Sequence, residues 1–99
     1  MENFVWLGTE LKYLVEITAH GFSMADDNFF IDLIRGGVTR RFEKSDLITD
    51  GENYYLAFDT TDFGAGELYA TITAYVPDND FPDHLRTEVW KVKLTTIKS

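Results

Sequence analysis

From Gly66 to Pro77 the chain alternates without a break, with Leu68, Ala70, Ile72, Ala74 and Val76 on one side and Tyr69, Thr71, Thr73 and Tyr75 on the other. Successive side chains of an extended strand point to opposite faces, so this period of two predicts a long strand, buried on one face and central in its sheet. No helix satisfies it. A lone strand is unstable in water, and the rest of the chain must supply both the sheet it joins and the layer that covers it.

The other segments read accordingly. Leu11 to His20 alternates and predicts a first long strand; Gly21 to Asn28, with Gly21 and Asp26-Asp27, reads as a loop. Phe29 to Arg35 and Val38 to Lys44 flank Gly36-Gly37, whose freedom at positive φ suits a two-residue hairpin turn. Such a turn sets Arg35 opposite Val38, Ile31 opposite Phe42 and Asp32 opposite Arg41. That register matches apolar with apolar and acid with base, each pair contributing a few tenths to about 1 kcal/mol.

Ser45 to Ile48 reads as a short edge strand or a turn, and Asp50-Gly51-Glu52-Asn53 as a reversal. In the strand Asn53 to Asp59, Tyr54, Leu56 and Phe58 share one face and Tyr55 and Ala57 the other. Thr60 to Ala65 has room for one helical turn. After a polar loop at 78–83, Thr87 to Ile97 closes the domain, with Trp90, Val92 and Leu94 expected inward and Lys91, Lys93 and Thr95 outward.

Short strands joined by turn-rich loops, with no stretch suited to a long helix, predict an all-β fold. The expected architecture is an immunoglobulin-like antiparallel β-sandwich of about seven strands, in which the last two long strands are neighbours. The 99 residues are read as one domain, 1–99. With no cysteine there is no disulfide framework, thiolate nucleophile or cysteine-based zinc site. Seventeen acids against nine bases give a net charge of −8, which repels a phosphate backbone, so no nucleic-acid partner is expected. No stretch is apolar for long enough to span a bilayer, and Met1 to Leu7 lacks the basic start and apolar core of an export leader. The expected location is cytoplasmic at synthesis, with exit, if any, as part of an assembly such as a virion, by lysis, or through a leader outside this sequence.

Four groups of residues could carry chemistry. Asp78, Asp80 and Asp83, with Asn79, offer oxygen ligands to a calcium ion, but without EF-hand spacing; solvated acids are the preferred reading, and no metal or other cofactor is assigned. His20 and His84 have no nucleophile motif beside them, and no catalytic residue is assigned. Tyr69, Tyr75 and Trp90 are the aromatics to consider for binding, able to stack on a sugar or anchor a protein interface. Arg40-Arg41 and Lys91, Lys93 and Lys98 read as solvated sheet faces.

Phe4-Val5-Trp6-Leu7-Gly8-Thr9-Glu10-Leu11-Lys12, the Phe29 to Leu33 strand, Gly66-Glu67-Leu68-Tyr69-Ala70 and Ala74-Tyr75-Val76-Pro77-Asp78 together resemble small β-proteins encoded by phages and prophages of Bacteroides-type bacteria. The layout is also similar to the N-terminal domain of phage baseplate upper proteins. Gly8-Thr9-Glu10 stands at the polar turn before the first strand, although the aspartate usual after the glycine is missing. Gly66-Glu67-Leu68 stands at the glycine step that opens a later one. The resemblance implies an immunoglobulin-like structural domain that attaches to other virion or element-encoded proteins.

The expected function is therefore a non-enzymatic assembly or adhesion module acting through a protein partner or self-association. A carbohydrate-binding sandwich using Tyr69, Tyr75 or Trp90 is the alternative. A further one is an acidic host-interaction protein, which predicts salt-sensitive binding to a basic partner.

Overall fold

The computed structural model describes residues 3–99. The eight strands are β1 (Phe4–Trp6), β2 (Glu10–Val15), β3 (Phe29–Arg35), β4 (Val38–Glu43), β5 (Ile48–Asp50), β6 (Asn53–Asp59), β7 (Gly66–Pro77) and β8 (Leu85–Lys98). One sheet has the order β1-β8-β7-β3-β4 and the other β2-β6-β5. The protein is thus an all-β, two-sheet sandwich. All neighbours are antiparallel except β1, which runs parallel to the end of β8 through Phe4 opposite Thr96 and Trp6 opposite Lys98.

The alternating strand β7 lies in the middle of the larger sheet, between β3 and β8, as its pattern predicts. Leu68, Ala70, Ala74 and Val76 are buried, and they face Phe29, Ile31 and Leu33 of β3 along the same inner surface. The smaller sheet closes the core with Val15, Leu56 and Phe58, joined by Phe63 from the corner after β6. Phe63 meets Phe58 edge-on at 5.6 Å, and Phe29 meets Tyr54 at 6.1 Å. The Phe29–Tyr54 contact spans the gap between the two layers, and Phe63 packs the corner against the smaller sheet.

The β3–β4 hairpin has the register its turn imposes, with Ile31 opposite Phe42, Asp32 opposite Arg41 and Arg35 opposite Val38. The first long strand is shorter than its alternation suggests. β2 stops at Val15 because the Ile17 amide turns to donate to the Met24 sulfur at 3.4 Å, and the chain enters a loop that caps one end of the sandwich with Ile17, Phe22 and Met24. The side-chain pattern continues past the point where the backbone ladder ends. Ser45 is part of a single 3-10 turn, Lys44–Asp46, closed by reciprocal bonds between Glu43 and Asp46, and Thr60–Asp62 forms the second.

One expectation is corrected. Leu68 stands opposite Thr95 but Tyr69 stands opposite Lys93, so Leu94 is an extra residue on β8, a β-bulge. Trp90 and Val92 on one side of it, and Thr95 and Ile97 on the other, all turn toward the smaller sheet. Thr95 is therefore buried, not outward, while Lys91 and Lys93 face out as expected. A bulge has no fixed residue type that announces it, and strict alternation carried across Leu94 assigns Thr95 to the wrong face.

Candidate functional site

The larger sheet has two surfaces of different character. On its outer face no second layer is present among the described residues. Tyr69, Thr71, Thr73 and Tyr75 of β7 lie there beside Phe30, Asp32 and Ile34 of β3, Arg41 of β4, and Thr87, Val89, Lys91 and Lys93 of β8. Phe4 and Trp6 extend the same face across β1. Trp6 at 60% and Val89 at 59% are the two most exposed large apolar side chains among the described residues.

Three of the aromatic rings on this face, Phe4, Phe30 and Tyr69, are half-buried beside cations. The Arg41 guanidinium sits 3.9 Å from the Phe30 ring centre while it binds Asp32 through two nitrogens at 2.9 and 3.1 Å. Phe30 in turn touches Tyr75 at 6.2 Å. Lys91 lies 5.1 Å above Tyr69, and Lys98 lies 4.2 Å from Phe4, which meets Trp6 edge-on. Lys93 pairs with Glu67 at 3.0 Å, which raises the ammonium pKa and lowers that of the Glu67 carboxyl.

Charge is segregated as a result. Four of the nine bases, Arg41, Lys91, Lys93 and Lys98, share this face with only three of the seventeen acids, Asp32, Glu43 and Glu67. The face carries one more base than acid on a chain of net charge −8. The lysines read singly as solvated positions are thus brought together with both tyrosines. Strand order, which no local pattern reports, made this cluster illegible in the sequence. Arg40 is not part of it, since it turns the other way and pairs with Asp62 at 2.6 Å.

Trp90 is on the inner face of β8, opposite Ile72, and does not join Tyr69 and Tyr75 in one platform. The two tyrosines are themselves six positions apart on one strand, roughly 20 Å, too far for adjacent stacking of one sugar ring. Trp90 instead lines a cleft of about 330 Å³ with Glu16, Ile17, Thr18, Ile72 and Val92. A second cleft of about 150 Å³ adjoins it, bounded by Tyr13, Leu14 and Val15 of β2 above and by Ala70, Ile72, Val92 and Leu94 below. Val92, an inner-face residue, is still 46% exposed, because the smaller sheet ends at β2 and does not cover β8.

Asp78 is committed elsewhere than to a metal. Its carboxylate accepts the Asp80 amide at 3.0 Å and the Arg86 guanidinium, and these two bonds hold it below the usual carboxylate range. Arg86 also bonds Glu88 and the His20 carbonyl, tying the loop to the capping segment. Among the described residues no three His, Asp or Glu side chains converge as metal ligands do. His84 holds the end of the loop in a left-handed conformation at φ 59°, its amide donating to the Phe81 carbonyl at 2.9 Å.

Comparison with protein-family models, with curated proteins and with solved structures finds no match for this chain.

Proposed function

We propose that this chain is a non-enzymatic assembly or adhesion module of a phage or mobile element, working through protein–protein contacts made by the outer face of its larger sheet. The observation that carries the reading is the gathering of Arg41, Lys91, Lys93 and Lys98 on one uncovered surface of an otherwise acidic molecule, with Trp6 and Val89 exposed at separate points along it. A row of oriented cations with single apolar side chains exposed along it suits a partner that presents acids. Half-burial of the tyrosines under lysine and phenylalanine weighs against the carbohydrate reading, which needs free ring faces.

Two further points support the class of module. The strand orders β1-β8-β7-β3-β4 and β2-β6-β5 are compatible with an immunoglobulin-like sandwich in which a short first strand pairs with the last. The resemblance of the 4–12 and 66–78 segments to phage and prophage β-proteins supports a virion or element-encoded setting.

The test is capture from a lysogen lysate together with mass in solution, comparing the native chain with a Lys91→Glu, Lys93→Glu double variant. The expected result is a complex, with self or with another protein, that weakens with rising salt and with the double reversal. A strictly monomeric protein without partners, or a complex indifferent to the reversal, counts against the reading. A complex strengthened by the reversal would instead favour the acidic host-interaction function and its basic partner.

A further inference from the structure

We propose that the open side of the smaller sheet is a docking groove for a single extended polypeptide segment from another protein, which adds to β2 as a fourth strand and lays alternate apolar side chains on β8. The inference rests on the assembly reading only in that the ligand is a protein. The groove and the outer face lie on opposite sides of β8.

The backbone of β2 sets the first requirement. The Thr60 amide donates to the Thr9 carbonyl at 3.1 Å, and the register pairs Leu11 with Phe58, Tyr13 with Leu56 and Val15 with Tyr54. In an antiparallel pair, the residues that exchange bonds alternate with residues whose N–H and C=O point away. Glu10, Lys12 and Leu14 are therefore the ones that aim both groups outward. Among the described residues no strand meets them there. A regular row of donors and acceptors at strand spacing matches another extended chain and matches no compact small molecule.

The floor sets the second. Beneath the empty position lies the inner face of β8, with Trp90, Val92 and Leu94 next to Ile72. A strand hydrogen-bonded to β2 would place every second side chain on this apolar strip, and cover Val92. The larger sheet continues outward through β8, while the smaller one stops at β2. A second copy pairing β2 to β2 about a two-fold axis would drive its own β8 into the layer this β8 occupies. A single segment fits where a folded sheet edge does not.

Charge sets the third. Glu10 begins β2 and Glu16 follows its last residue, both exposed and without an ion-pair partner among the described residues. The nearby cations are engaged elsewhere: Lys12 lies over the Tyr55 ring at 4.6 Å, and Arg86 is tied to Asp78 and Glu88. The complementary segment is apolar at alternate positions and carries Lys or Arg at its ends. Sequences of that kind are the ones an acidic groove mouth attracts and orients.

The probe is a synthetic nine-residue peptide with valine at alternate positions, threonine between them and lysine at both ends. Amide hydrogen exchange and anisotropy of the labelled peptide are read on the full chain. The expected result is binding with new protection at the Glu10, Lys12 and Leu14 amides, and about tenfold weaker binding when the end lysines are replaced by glutamate. Lys12→Pro removes one outward N–H without touching the ladder to β6, as proline is tolerated at such edge positions. It should weaken binding about tenfold, and so should Val92→Glu, whose site is exposed enough to leave folding intact. Lys91→Glu on the outer face should leave peptide binding unchanged, so loss of lysate capture in that variant with retained peptide binding separates the two proposals. Absence of protection at those three amides with 1 mM peptide, equal binding of a scrambled peptide, or protection brought about by a concentration-dependent dimer each overturns the inference.

Discussion

Two threonines are fully enclosed in the core, and the structure assigns them opposite energetic roles. The Thr60 hydroxyl accepts the Gly8 amide at 2.9 Å and donates to the Thr9 carbonyl at 2.9 Å, clamping the turn between β1 and β2 to the corner after β6. The Thr95 hydroxyl reaches only the carbonyl of the next residue, at 3.5 Å. Thr60→Val keeps the shape and removes two hydrogen bonds of about 1 kcal/mol each, so it should lower stability by about 2 kcal/mol. For a domain of this size that corresponds to a fall in Tm of roughly 8–16 °C. Thr95→Val exchanges a poorly bonded hydroxyl for a methyl in the same cavity and should lie within about 0.5 kcal/mol of the native chain, or above it. Thr60→Ser keeps the clamp and should lose only about 0.8 kcal/mol for the buried methyl. Urea unfolding followed by circular dichroism, with unchanged m-values, measures all three. Equal losses in Thr60→Val and Thr95→Val would show that burial, not the clamp, governs these positions, and would refute the reasoning.

Gly66 holds φ at 138°, and a Cβ there would lie 2.7 Å from the Arg35 Cδ, so Gly66→Ala should cost about 3 kcal/mol through strain and displacement of Arg35. Because Arg35 Nε donates to the Phe63 carbonyl at 2.8 Å, a double-mutant cycle with Arg35→Ala should show coupling above about 1 kcal/mol, and additive losses would contradict the contact. Hydrogen bonds hold the carboxyls of Asp59, Glu67 and Asp78 below their ordinary range, so their contribution is complete above about pH 5 and drains away as pH falls through the lowered values. Thermal midpoints should therefore drop on acidification below about pH 5, with a shallower slope in Asp78→Asn, which keeps an oxygen for the Asp80 amide but loses the pair with Arg86; an unchanged slope contradicts the assignment. The two tryptophans report separate surfaces, Trp6 the outer face and Trp90 the groove. Occupation of the groove should blue-shift the emission of a Trp6→Phe variant and leave that of Trp90→Phe unmoved; the reverse would place the ligand outside.

Local chemistry explains which parts of the fold are legible in the sequence. The β3–β4 register comes from Gly36-Gly37, and the place of β7 from its own alternation, because both are set by neighbours in sequence. β1 escapes detection as a strand because three residues carry no period, and its parallel pairing with Thr96 to Lys98 is a long-range event. The open edge of β2 escapes for a related reason. By pattern alone the candidate edges are the β4 and β8 segments. β4 is an edge, and so is most of β8, because β1 pairs only with its last residues, Thr96 to Lys98. Alternation places Tyr69 and Tyr75 correctly on one face, but the cations that cover Tyr69 and Phe30, the ring beside Tyr75, come from β8 and β4. Trp90 is correctly inward, and only the layer missing above it turns that core position into the wall of a groove.

The single extra residue at Leu94 lets β8 serve two readings of its sequence, much as a leap day keeps a calendar in step with the seasons. Downstream, Thr95 and Ile97 seal the core; upstream, Trp90 and Val92 form the groove floor while Lys91 and Lys93 arm the outer face. Were the ladder to run straight through the same residues, one of the two halves would have to turn over, burying the lysines or expelling Thr95 and Ile97. A chain shortened by Leu94 alone would instead fall into plain alternation with every other side chain on its present face. Strand length can therefore change by one codon at this point while the groove and the outer surface keep their separate identities.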